Sequence, residues 1–201
     1  MSFLRLVVQD PLPVLRSPRL VLRAPAMADH GAWAELRRAS RDFLAPWEPL
    51  WPEDDLEKSA FRRRLRRLAG EIREGVSYPW FVFDAATREI LGGVTLSQVR
   101  RGVTQTGTLG YWMGEAHAGR GVMTEAAGLV VGFAFDTLRL HRIEASCLPE
   151  NGRSIRLLEK VGFVREGLAR RYLCIAGEWR DHLLWALLAD DPRFVASRNA
   201  P

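Results

Sequence analysis

From Leu109 to Ala126 the chain reads Leu-Gly-Tyr-Trp-Met-Gly-Glu-Ala-His-Ala-Gly-Arg-Gly-Val-Met-Thr-Glu-Ala, and no other stretch limits the fold as tightly. A strand-like run ends in a short glycine-rich loop, and an apolar helix pattern begins directly behind it. Such a loop presents several unpaired backbone N–H groups at the positive end of a helix dipole, which is a site for phosphate. Gly119 and Gly121 would let the backbone approach an anion with no Cβ in the way. Arg120 adds the option of a charge-assisted contact. Two familiar phosphate loops are excluded by spelling: the Gly-x-Gly-x-x-Gly fingerprint needs glycine where Thr124 stands, and the Gly-Lys-Ser/Thr of a Walker A loop is missing. Taken alone, the pattern also fits a plain strand-to-helix turn.

The rest of the chain supplies the frame. Arg19–Arg23 alternates as a strand does, and Asp29 can cap a helix running to about Ser40. Phe43–Pro52 carries Pro46, Pro49 and Pro52, which denies it a regular ladder and predicts a tryptophan-rich loop. A second helix opens at Asp54 or Asp55, with Leu56, Phe61, Leu65, Leu68 and Ile72 as its stripe and Gly75 past its end. The period then shortens: Trp80–Asp84, Ile90–Val99 and Thr106–Met113 read as strands, the first two joined by a turn near Ala85–Arg88. Gly121–Leu138 reads as a helix apolar on most sides, in which Gly128 and Gly132 would admit a neighbouring backbone. Arg142–Leu148 follows as a strand, Gly152–Val161 as a helix, and Phe163–Cys174 and Trp179–Leu188 as a closing pair of strands. We find no repeat, low-complexity tract or linker, so the pattern predicts one mixed α/β domain around a central sheet.

Composition narrows the class. In 201 residues, 47% are apolar and 26% charged, which excludes a chain disordered throughout. The apolar run at Gly128–Phe135 falls far short of the ~20 residues of a membrane span. Met1–Arg16 lacks the ~7–15-residue apolar core of a signal peptide. Cys147 and Cys174 form no framework, and the four histidines lack ligand spacing, so neither a disulfide scaffold nor a structural metal is expected. A reduced, cytoplasmic protein is the expectation. The net charge of +5 is concentrated in Arg62-Arg63-Arg64-Leu65-Arg66-Arg67. That run fits either a solvated helix face or an electrostatic footprint for an anionic partner such as RNA.

A second constellation, Asn151-Gly152-Arg153-Ser154 leading to Leu158-Glu-Lys-Val-Gly-Phe163, makes the first one specific. Phosphate loop, helix, strand, Asn-x-x-Ser helix and Gly-Phe together resemble the Gcn5-related N-acetyltransferase (GNAT) superfamily. Met123 stands where many members have Gly or Ala. Phe43-Leu-Ala-Pro-Trp-Glu-Pro49, Val99-Arg-Arg-Gly102, His141-Arg-Ile143, Glu166-Gly167, Tyr172-Leu173 and Gly177-Glu-Trp-Arg-Asp-His182 are similar to the ribosomal-protein-alanine N-acetyltransferases, the Rim type. The likeness spans about residues 17–188, with 1–16 and 189–201 as terminal extensions.

The resemblance implies a single GNAT domain whose mixed, mostly antiparallel sheet splays between the fourth and fifth strands. It implies acetyl-CoA as cofactor, no metal, and direct attack of an amine on the thioester. The diphosphate falls to the backbone of Gly119, Arg120, Gly121, Val122, Met123 and Thr124, and the strand end Trp112, Met113 and Gly114 borders the same cofactor. A backbone N–H near Met113 becomes the oxyanion donor, Asn151 the partner of the pantetheine arm, and Ser154 the proton source for the departing thiolate. An ordinary helix cap is the other reading of Asn151 and Ser154. Glu144 is the first candidate base; some relatives place an acid where this chain has Arg171, and Asp181 and Glu48 remain alternatives. Trp47, Glu48, Tyr172 and Asp181 are the expected acceptor side, although Pro-Trp-Glu-Pro also reads as a packed plug. The implied acceptor is a protein N-terminus beginning with Ala or Ser, on a ribosomal protein. A small-molecule amine as acceptor, a non-catalytic acyl-CoA sensor, and a module docking on RNA through Arg62–Arg67 stay open, as do monomer and homodimer.

Overall fold

The computed structural model describes residues 12–192. The outer parts of both terminal extensions, residues 1–11 and 193–201, lie outside the described residues. Eight strands form one sheet in the order β1-β2-β3-β4-β5-β6-β8-β7. These are β1 (Leu15–Arg16), β2 (Leu20–Arg23), β3 (Tyr78–Asp84), β4 (Ile90–Arg100), β5 (Thr106–Met113), β6 (Arg142–Cys147), β7 (Val164–Ile175) and β8 (Glu178–Leu188). The sheet therefore begins before Ser17: Leu12 is buried, and Trp80 Nε1 donates to the Pro13 carbonyl at 2.8 Å.

Side chains alternate across each strand, so register fixes two faces. Trp80, Val82, Val94, Tyr111, Ile143, Ala145 and Cys147 belong to the larger core. Against it lie α4 (Val122–Gly132) and α5 (Gly152–Val161). Phe81, Phe83 and Trp112 face the other way, against α1 (His30–Ala39) and α3 (Lys58–Glu74), through Trp33 and Phe61. Ala126, Ala127, Val130 and Val131 of α4 have no exposure at all, as the even spread of apolar residues around that segment requires. Burying each valine there contributes roughly 1.5–3 kcal/mol relative to leaving it in water.

Four expectations are corrected. Phe43–Pro52 is not wholly loop: Arg41–Leu44 forms the one-turn α2 and Ala45–Trp47 a 3-10 turn, with Pro46 in the first turn, where its missing N–H costs nothing. The helix opening at Asp54 or Asp55 begins only at Lys58. The helix ending near Leu138 leaves α geometry at Gly132 and finishes as a π turn, Phe133–Thr137. Gly128 and Gly132 admit no backbone: a Cβ built on Gly128 meets nothing within 4 Å, and one on Gly132 meets only Asp136 Oδ2 at 3.9 Å.

All strand pairs are antiparallel except β5–β6, which is parallel and short. Thr106, Gly107 and Thr108 pair with Arg142, Ile143 and Glu144, and no further. Beyond Thr108 the strands separate while β5 keeps its ladder to β4 as far as Met113. That split opens the sheet between its two faces.

Candidate active site

The split leaves backbone donors without partners. Gly114 N–H donates to the Leu91 carbonyl at 2.9 Å, continuing the β4–β5 ladder. In an antiparallel ladder the amides alternate sides. Those of Met113 and Tyr111 therefore point away from β4, toward the gap that β6 has vacated, beyond the last rung of the β5–β6 pair. They form a row of N–H groups along one wall of a cleft of about 670 Å³.

The glycine loop closes one end of this cleft. Gly119 and Gly121 hold φ of +79° and +75°, in the left-handed region where a Cβ is strained. Gly121 is the N-cap of α4, and no side chain caps the helix. The first-turn amides of Val122, Met123 and Thr124 have no intrahelical acceptor, and all three residues line the cleft. Arg120 is exposed and lies off the cleft wall. Gly114 is buried, and a Cβ there would overlap the Leu36 side chain.

Across the cleft, Asn151 caps α5, its Oδ1 accepting the Ser154 N–H at 3.1 Å. The cap reading is correct, and it leaves the Asn151 amide NH2 without a partner among the described residues. Ser154 Oγ lies 2.6 Å from the Tyr111 hydroxyl. Burial pushes the Tyr111 hydroxyl far above its ordinary range, against the opposing pull of the Ser154 hydrogen bond, so the phenol keeps its proton. Burial likewise raises the Cys147 thiol, which lies beside Ser154 and Trp185. It is a thiol rather than a thiolate, and a poor nucleophile. Tyr111 was missed in the sequence because its alternation marks it only as an inward-facing strand residue.

The second face of the sheet supplies the other wall. Trp47 is half-buried at the cleft, so it is no core plug, and Glu48 stands beside it. Both Glu48 carboxylate oxygens accept from Arg37, at 2.8 and 2.7 Å, and one also accepts from Trp51 Nε1 at 2.7 Å. The buried Arg37 guanidinium is stacked between Trp51 and Trp112, 4.0 and 5.1 Å from their ring centroids. Glu48 and Trp112 also border a second cavity, of about 700 Å³, between α3 and the sheet. His182 lines the main cleft and is buried, at 3% exposure. It was passed over as one letter of a motif.

Glu144 does not line the cleft. It stands opposite Thr108, in the last pair of β5–β6 before the strands separate. Its carboxylate accepts from Arg142 at 3.0 Å and Arg100 at 3.2 Å, in a surface network that also joins Arg142 to Glu166. The carboxylate expected as first candidate base is thus engaged by two arginines off the cleft wall. Asp181 lies off the cleft too, its Oδ1 accepting the Arg171 N–H at 2.8 Å within an irregular stretch of β7. Tyr172 is half-exposed, its ring edge-on to His182 at 5.9 Å. Among the described residues, no cluster of His, Cys, Asp or Glu has the grouping of a metal site, and no helix is long and apolar enough to cross a membrane.

This architecture is matched by known proteins. The family model "Acetyltransferase (GNAT) domain" fits residues 19–164. A probable N-acetyltransferase of Bacillus subtilis, YjcK, is 36% identical over 178 residues, 89% of this chain and 98% of its own. The ribosomal protein uS5-alanine N-acetyltransferase of Escherichia coli is 37% identical over 179 residues, 88% of this chain and 91% of its own. Among solved structures, Mycobacterium smegmatis RimJ in complex with CoA-disulfide superposes with a TM-score of 0.83 at 33% identity, covering 92% of this chain and 93% of RimJ. Split sheet, uncapped loop helix and sequence likeness agree: the chain belongs to the GNAT family of N-acetyltransferases, and within it is similar to the ribosomal-protein-alanine type.

Proposed function

We propose that the chain transfers an acetyl group from acetyl-CoA to the α-amine of a protein N-terminus beginning with Ala or Ser, on a ribosomal protein. The observation that carries this reading is the split between β5 and β6. It joins a phosphate-ready helix end on one face to an aromatic, acid-bearing wall on the other. The relatives named for ribosomal-protein alanine acetylation support the acceptor class.

The residues present fit the cofactor. The uncapped amides of Val122, Met123 and Thr124 would hold its diphosphate, with the Thr124 hydroxyl as a further donor. The free amide of Asn151 would hold the pantetheine arm. When bound, acetyl-CoA supplies an acyl thioester open to attack by nitrogen. The Met113 N–H would bind the oxygen that gains charge, and one aimed donor of this kind contributes ~3 kcal/mol. The Tyr111–Ser154 pair would give a proton to the departing sulfur. The acceptor approaches from the opposite face, past Trp47, Glu48 and Trp112. An α-amine with pKa ~8 is neutral at pH 7 about 250 times more often than a lysine with pKa ~10.4, which favours an N-terminus over a side chain.

The arginine run does not enter this reading. Arg63, Arg64 and Arg67 are paired with Asp54, Asp55 and Glu71. That engagement fits a solvated helix face.

Two measurements test the proposal. Calorimetry should show saturable CoA binding that disappears in Gly121→Glu, where strain and a carboxylate both oppose the diphosphate. An octapeptide beginning with Ala should then release free CoA faster than amino acids, polyamines or aminoglycosides do. Release with the small amines alone would move the substrate class away from proteins.

A further inference from the structure

We propose that His182 is the general base for the acceptor amine, an assignment that rests on the acetyl-transfer reading above. Its hydrogen bonding fixes its chemistry. His182 Nδ1 lies 3.0 Å from the Arg180 carbonyl oxygen. A carbonyl oxygen only accepts, so Nδ1 carries the ring hydrogen in the neutral imidazole and Nε2 keeps its lone pair. Nε2 has no partner among the described residues, and the ring lines the cleft at 3% exposure. A ring nitrogen with an unused lone pair, open to the wall of a reaction cavity in an otherwise buried residue, is free to accept from a donor in that cavity.

Register places it on the side where the amine arrives. Thr108 pairs with Glu144, so Gly110, Trp112 and Ser146 follow on that same face. Ser146 pairs with Leu184, and His182 lies two residues before Leu184 on the same side of β8. His182 therefore shares its face with Trp112, whereas Tyr111, Cys147 and the Ser154 hydroxyl belong to the opposite one. Proton acceptor and proton donor stand on the two sides of the split, as direct transfer requires. The other titratable or charged groups near the ring are Tyr172 of β7, edge-on to it, and Glu48, Tyr111, His117, Cys147, Arg153, Arg156 and Lys160, which share the cleft. On its own strand, Asp181 is held by the Arg171 amide and Arg180 ion-pairs with Glu150. Glu48 is held by Arg37 and Trp51 and serves as a fixed anion that attracts the ammonium.

The step balances. His182 Nε2 takes one proton from the acceptor ammonium. The freed nitrogen pair forms the bond to the acyl carbon as the carbon–sulfur bond breaks, and the nitrogen, now cationic, sheds a second proton. The sulfur keeps the pair from the broken bond and takes a proton from the Tyr111–Ser154 pair. The second proton from the nitrogen restores the hydroxyl pair by way of solvent, and the imidazolium returns the first to solvent.

The test has two readouts. First, ¹⁵N NMR of the free protein should show Nδ1 protonated and Nε2 bare, with the His182 signal shifting when an Ala-first peptide is added. The reverse tautomer overturns the proposal. Second, His182→Gln should lose ~10²-fold or more in kcat, while CoA titration stays unchanged and shows that the variant is folded. A loss within threefold overturns it. Wild-type protein that binds CoA and acetylates no amine would bring down the transfer reading and this base with it. Failure of the His182 arms alone leaves that reading standing.

Discussion

The Tyr111 hydroxyl and Ser154 Oγ lie 2.6 Å apart, one from the splayed strand and one from the first turn of the helix that Asn151 caps. Two hydroxyls so close form one relay, and removing either breaks it. Tyr111→Phe and Ser154→Ala should each lower kcat by ~10²-fold with little change in the KM for acetyl-CoA. The double variant should be no worse than the weaker single one, because members of a unit are not additive. Steady-state kinetics of the three variants checks this. Losses that multiply would show two independent roles.

Burial holds the Tyr111 proton well above the ordinary tyrosine range, and the sign of the consequence follows. Folded-state pKa is raised, so the associated stability is fully present below the unfolded value of ~10 and is lost as pH climbs beyond it. Urea midpoints measured from pH 8 to 11 should fall gently above about 8.5, where Cys147 ionises in the unfolded chain, and more steeply above about 10. Tyr111→Phe should lessen the fall without abolishing it, since Tyr78 is raised by burial as well. A midpoint falling equally steeply in the variant would contradict this account.

The surface network around Arg142 yields the opposite kind of prediction. Glu144→Gln removes a carboxylate that is about a third exposed, bound to Arg100 and Arg142 and absent from the cleft lining. Exposed pairs contribute ~0.2–1 kcal/mol, so the melting temperature should move by a few degrees at most. Transfer rates should stay within twofold of wild type at every pH. A hundredfold drop would return Glu144 to the mechanism.

The elements were legible where local chemistry decides them. Thr106–Met113 and Gly152–Val161 are found as read, because alternation and an Asn cap act through near neighbours. Element ends set by tertiary packing were not. The start of α3 at Lys58 and the π turn at Phe133 depend on contacts with other parts of the fold. At the site, the glycine turn and the helix start behind it were legible because Gly119 and Gly121 answer to backbone geometry. Glu144 stands at the last pair before the split, but whether its carboxylate enters the cleft depends on Arg100 and Arg142, which the sequence does not place beside it. His182 and Tyr111 carry no local signal that separates them from core residues. Their pairing with Arg180 and Ser154 appears only once the strands are in register.

Gly93 shows how tightly that register binds the second face. It pairs with Trp112 across β4 and β5, and a Cβ on it would overlap Trp112 Nε1 and come within 3.1 Å of Cε2. The indole has little room to yield, because Phe81 packs edge-on to it with centroids 6.3 Å apart and Arg37 stacks on it. Gly93→Ala should therefore push the Trp112 ring toward the cleft at a cost of ~1–3 kcal/mol, the usual penalty of overpacking. CoA binding, on the other face, should be nearly unchanged, whereas the KM for a peptide acceptor should rise several-fold. Calorimetry with CoA beside peptide kinetics separates the two. Equal losses in both would mean that the substitution disturbs the whole sheet rather than the Trp112 wall.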